Sequence, residues 1–210
     1  MVNRRPKLIS VAWAWAAGWV LASMGQLILY MYSTNPNDIS PAVYVLGFAG
    51  WVIGAAGTIR YVRHRFEADV YVIALSVVGW GVGALVAVVL GLFWLQTWNV
   101  AFFGPIVGAA IGGAIGGAFT LPMRSLLSPA TIVRDSVRGA FSWGLAFLVF
   151  QILAFYAGYI LMLITAVQLA PIVGWVWAEV PGWLLPAGVF GLLAALLASR
   201  SLQITEREEV

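Results

Sequence analysis

A reaction needs side chains that ionise, ligate or attack, and few stand where they could act together in this chain. Glu179 is the only ionisable residue inside an otherwise apolar run. At mid-membrane its carboxylate would cost about 2.5 kcal/mol or more and would mark a proton or cation path. Counting about 20 residues of helix back from Ser199 instead puts Glu179 at a membrane boundary, just before Pro181. The single histidine, His64, lies within Arg60-Tyr61-Val62-Arg63-His64-Arg65. Such neighbours belong in water, which argues against a buried axial ligand to haem or chlorophyll. There is no cysteine, so disulfides, thiolate nucleophiles and cysteine-ligated metals are excluded. No G-x-S-x-G, H-E-x-x-H or phosphate-loop pattern occurs. The sequence therefore predicts no catalytic residue, no metal site, no cofactor and no enzyme.

The elements that would carry these residues follow from where the charges are absent. Of 210 residues 62% are hydrophobic and 9% charged, against about 25% charged in an ordinary soluble domain. Too few polar side chains remain to cover a surface facing water, so the outside must face hydrocarbon or other subunits. The expected fold is all-α, a single polytopic bundle over residues 1–210. Its six transmembrane helices are expected at about 8–32, 42–59, 70–93, 101–123, 140–162 and 181–199. The apolar connection from Leu161 to Trp177, which contains Pro171, is long for a turn and reads as a helix extension, an interfacial helix or a re-entrant segment.

With six spans, all 11 basic residues fall at one end of the bundle, and the positive-inside rule makes that end cytoplasmic, with both termini inside. This is the orientation expected in the bacterial cytoplasmic (inner) membrane. It also gives the net charge of +3 a topological cause, so no nucleic-acid partner is expected. The first apolar stretch is longer than the 7 to 15 residues usual in a signal peptide and reads as a retained helix.

Parts of the sequence repeat. Gly50–Thr58 (GWVIGAAGT) matches Gly112–Thr120 (GGAIGGAFT) at an offset of 62, and Trp80-Gly81 matches Trp143-Gly144 at 63. A period of one helical hairpin suggests three tandem hairpins in the same orientation. Gly108, Gly112 and Gly116, with Gly113 and Gly117 beside them, form a small-residue face on the fourth span. There another backbone can approach closely, from the same chain or from a partner. Eleven tryptophans form the other unusual feature. Trp94, Trp98, Trp175, Trp177 and Trp183 fall near one membrane boundary, and Trp13 and Trp143 near the other, where indoles usually sit. Trp19, Trp51 and Trp80 instead fall mid-span, each after a glycine. With Glu179 they are the candidates to line a ligand cavity, since a buried indole N–H without an acceptor costs about 1–3 kcal/mol.

Two functions are compatible with these features. One is a non-catalytic structural or accessory subunit of a larger membrane complex, partnered by lipid and by other membrane subunits or copies of itself. The other is binding or transport of an apolar small molecule such as a lipid, quinone, pigment or vitamin. The six-span layout, with small residues four apart at Ala12 and Ala16 in the first span, is similar to that of the substrate-binding subunits of energy-coupling-factor vitamin transporters. That resemblance is one of topology and implies the second function.

Overall fold

The computed structural model describes residues 7–32, 41–66, 70–97, 103–120, 129–200 and 202. Six helices account for nearly all of them: α1 (Leu8–Tyr32), α2 (Pro41–Phe66), α3 (Val70–Thr97), α4 (Phe103–Thr120), α5 (Pro129–Val173) and α6 (Trp175–Ser199). Five are long and apolar enough to cross a membrane, and the apolar part of α4, Gly104–Thr120, is shorter. At about 1.5 Å per residue that part still covers about 25 Å. The chain is thus an all-helical, multi-pass bundle of the kind expected for an integral membrane protein.

The composition of the layers is what a lipid-facing exterior requires. The outer faces carry long aliphatic side chains such as Val45, Val78, Leu85 and Val89, whereas many buried positions are alanines, among them Ala12, Ala84, Ala146, Ala194 and Ala198. Association in lipid has no hydrophobic drive, so close packing of small residues must supply it. Consecutive helices pack as antiparallel hairpins, α1–α2, α3–α4 and α5–α6. Contacts of α2 with α3, α4 with α5 and α6 with α1 close these into a ring, in which α2–α3 is the loosest seam.

The third hairpin departs from the expected boundaries. The Leu161–Trp177 connection is helical except at Gly174, and α6 begins at Trp175 instead of Pro181. The reversal rests on one residue. Gly174 has φ +84° and ψ 153°, the only positive φ among the described glycines, in a backbone region open essentially to glycine alone, and α5 ends there with the Gly174 N–H donating to the Ala170 carbonyl at 2.9 Å. Pro171, Pro181 and Pro186 all lie inside helices. Helices surrounded by lipid and neighbours tolerate such residues, because adjacent groups satisfy the freed carbonyls. The basic segments also continue the helices: α2 runs through Arg60–Arg65, and α5 starts ahead of Arg134 and Arg138. Residues 33–40 and 98–102, with Asp38 and Trp98, lie outside the described residues, as does the side chain of Trp94.

Candidate functional site

The inside of the ring is an aromatic cluster built from one residue of each odd-numbered helix. Trp15 on α1, Trp80 on α3 and Trp143 on α5 are at most 1% exposed. Their ring centroids are 5.1 Å apart for Trp15–Trp80, 5.1 Å for Trp80–Trp143 and 5.8 Å for Trp15–Trp143. Trp51 packs edge-on against Trp15 at 5.3 Å, and Phe147 lies 4.8 Å from Trp15 and 5.6 Å from Trp19. Offset and edge-to-face geometries at these separations are the favourable ones for indole quadrupoles.

Trp15 and Trp80 are each placed by the hairpin partner of their helix. Trp15 Nε1 donates to Thr58 Oγ1 on α2 at 3.0 Å, and Thr58 donates onward to the Gly54 carbonyl at 3.1 Å. Trp80 Nε1 donates to Thr120 Oγ1 on α4 at 2.8 Å, and Thr120 donates to the Gly116 carbonyl at 2.8 Å. The glycine four residues before each threonine is what admits the ring, since a Cβ at Gly54 or Gly116 would fall on the six-membered part of Trp15 or Trp80. Three residues after each tryptophan a second glycine brings the two backbones together, Gly18 against Gly50 and Gly83 against Gly112. The repeat unit is therefore W-x-x-G on one helix facing G-x-x-x-G-x-x-x-T on the next.

The third hairpin carries a modified copy: Trp143-Gly144-Leu145-Ala146 on α5, and Gly191, Ala195 and Ser199 on α6. Alanine replaces the ring-admitting glycine and serine replaces the threonine. Ser199 donates to the Leu196 carbonyl at 3.3 Å, and the buried Trp143 Nε1 has no hydrogen-bond partner. Trp143 leans instead on α4, where Gly113 and Gly117 face it and Phe147.

These positions differ from several expectations. Trp143, expected near a membrane boundary, is buried within the cluster, and Trp15, to which the sequence assigned no role, is its neighbour. Of Trp19, Trp51 and Trp80, the last two meet at 6.1 Å, whereas Trp19 packs on Phe147, and Trp15, Trp143 and Phe147 occupy the middle of the cluster. The α4 glycines make contacts within the chain: Gly112 and Gly116 face α3, Gly113 and Gly117 face α5, and Gly108 is buried. Glu179 lies away from the cluster, in the first turns of α6. The buried carboxylate nearest the basic end is Asp135, with 3% of its side chain exposed and an ion pair to the exposed Arg134 at 3.4 Å. The signal that would have found Trp15 was present in the sequence: carrying the offset of Trp80 and Trp143 back one more hairpin arrives midway between Trp15 and Trp19, and of those two only Trp15 is followed three residues later by a glycine, as Trp80 is.

The two complete Trp–Thr pairs lead to a measurable expectation. Thr120→Val keeps the shape but leaves the Trp80 N–H without an acceptor, and should destabilise the protein by about 1 kcal/mol, within the range measured for hydrogen bonds between membrane helices. Thr120→Ser should recover most of that loss, and thermal unfolding in detergent would compare the two. If Val and Ser behave alike, the hydrogen bond contributes nothing.

Comparison of the chain with protein-family models, with curated proteins and with solved structures finds no match. Function is accordingly argued from the geometry.

Proposed function

We propose that the chain is a non-catalytic subunit of a larger membrane assembly, set in the bacterial cytoplasmic membrane with its basic end and both termini inside. The observation that carries this reading is the filled interior. The ring closes on a stack of indoles whose hydroxyl partners are used in holding helices together, which suits a rigid scaffold. The clustering of every described lysine and arginine at one end of the helices supports the orientation.

Isolation in mild detergent from the native membrane tests the proposal. Co-isolation in fixed stoichiometry with other membrane proteins is the expected result, whereas a monodisperse particle containing only this chain would overturn it. Binding of an apolar molecule is the second reading, favoured by one feature. An open, apolar surface strip runs along the outer face of α2 between Tyr44, Phe48 and Val52, against which a lipid chain could lie. A lipid or quinone retained through the same isolation by a solitary particle would support this reading over the first.

A further inference from the structure

We propose that the outer face of α2 binds an anionic phospholipid from the membrane leaflet at the basic end of the bundle, its headgroup phosphate held by Arg60 and Arg63 and an acyl chain laid along Ala56, Val52 and Phe48. The proposal names an occupant for the apolar strip but does not depend on the subunit reading, since a subunit and a solitary particle would hold this lipid alike.

One line of α2 changes character along its length. At about 100° of turn per residue, Val45, Val52, Ala56 and Arg63 fall within about 20° of a common direction, with Phe48, Ile53 and Arg60 beside them. All of these residues are exposed, Val45 to 65%, Val52 to 48% and Phe48 to 45%. Tyr61 and Val62, between the two arginines, are 4% and 2% exposed and pack into the core. The helix is thereby held with its basic face outward.

The lengths agree with one leaflet. From Arg60 the helix rises about 12 Å to Val52 and about 18 Å to Phe48, against a hydrocarbon depth of about 15 Å per leaflet, half of a 30 Å core. An acyl chain that starts at the arginines therefore ends against Phe48.

Charge complementarity selects the headgroup. Neither Arg60 nor Arg63 has a carboxylate within ion-pair distance among the described residues. A guanidinium presents a fork of donors that matches two phosphate oxygens, and its long stem carries the charge from an apolar helix face to the interface. A zwitterionic headgroup brings its own cation to the same place; a net anionic one does not. The start of α5 supplies the contrast. Val137, Phe141 and Leu145 also form an exposed apolar stripe there, but Arg134 is paired with Asp135, and Arg138 makes a contact within the chain.

The test places a photo-crosslinking residue at position 52 of the full-length protein, with position 78 on the exposed face of α3 as reference, in vesicles of phosphatidylcholine with a minority of phosphatidylglycerol. At position 52 phosphatidylglycerol should be captured roughly 25-fold above its share of the bilayer, from about five-fold for each arginine beside an anionic headgroup. At position 78 capture should follow the bilayer composition. Arg60→Gln and Arg63→Gln should each lower the enrichment about five-fold, and the double variant should remove it. Lys7→Gln takes one exposed charge from the same end and should change nothing. Near-UV circular dichroism of the indole cluster establishes that each variant is folded. Capture at position 52 in proportion to the bilayer, equal enrichment at positions 52 and 78, or enrichment that survives the double substitution would each overturn the proposal. An equal loss in Lys7→Gln would overturn it too, because a diffuse surface potential would then account for the capture without a site. None of these outcomes bears on the subunit reading, which co-isolation decides.

Discussion

Trp80→Ala is expected to destabilise the protein by about 3 kcal/mol. Trp80 is 1% exposed and touches three other indoles, Trp15, Trp143 and Trp51, the last at a centroid distance of 6.1 Å. It also donates the shorter of the two Trp–Thr hydrogen bonds. Truncating a buried aromatic costs about 3–5 kcal/mol in water-soluble proteins. In a bilayer the transfer part of that figure shrinks, because the separated helix is still surrounded by hydrocarbon, so the low end applies. What remains is lost dispersion contact around a void, with Thr120 deprived of its donor. The surroundings cannot collapse readily, since the backbones of α3 and α4 already touch at Gly83 and Gly112. Thermal unfolding in detergent, read by near-UV circular dichroism, measures the loss. Trp13→Ala, on the same α1 turn as Trp15 but 63% exposed, should change the midpoint little. Equal effects of the two substitutions would show that the cluster does not hold the ring together.

Gly112→Val should be nearly as damaging for the opposite reason. A Cβ at Gly112 would meet the Gly83 carbonyl, the Ala87 Cβ at 2.9 Å and Trp51 Cη2 at 2.9 Å. A carbonyl on a packed helix cannot swing aside as a flexible side chain can, so α3 and α4 must separate. Overpacking of this kind costs typically 1–3 kcal/mol, and here the separation would also stretch the Trp80–Thr120 hydrogen bond. We expect a loss of about 3 kcal/mol. Gly81→Ala is the control: a Cβ there meets nothing within 4 Å, and helix propensity favours alanine. Identical unfolding of Gly112→Val and the native protein would mean that the close approach of α3 and α4 is unimportant.

The two substitutions also separate what could be read early from what could not. Gly112 and Gly116 were legible as a packing face because four-residue spacing puts small side chains on one side of a helix whatever surrounds it. Which neighbour they meet was not legible, since that depends on how α3, α4 and α5 are arranged. Trp80 was legible as a mid-span indole in need of an acceptor, but that the acceptor is Thr120 was not. The expectation that Trp19, Trp51 and Trp80 surround open space did not allow for Trp15 and Trp143, which enter from two other helices. The third hairpin misled for a different reason. Pro171 and Pro181 look like helix ends by rules learned from water-soluble proteins, and inside lipid those rules weaken.

What the sequence determined by itself was the number and course of the helices and the end of the bundle that collects positive charge. Hydrocarbon tolerates neither open backbone nor unpaired charge, so gaps between charges mark spans directly. What only the tertiary structure decided was which face of each helix looks inward. Trp13 and Trp15 stand two residues apart, about 200° around α1, yet one is lipid-facing and the other is at the centre. The helix is apolar on all sides and has no hydrophobic stripe to orient it. The direction was set by where a glycine opened the facing helix and where a threonine oxygen waited for an indole hydrogen, and those are properties of neighbours brought together by the fold.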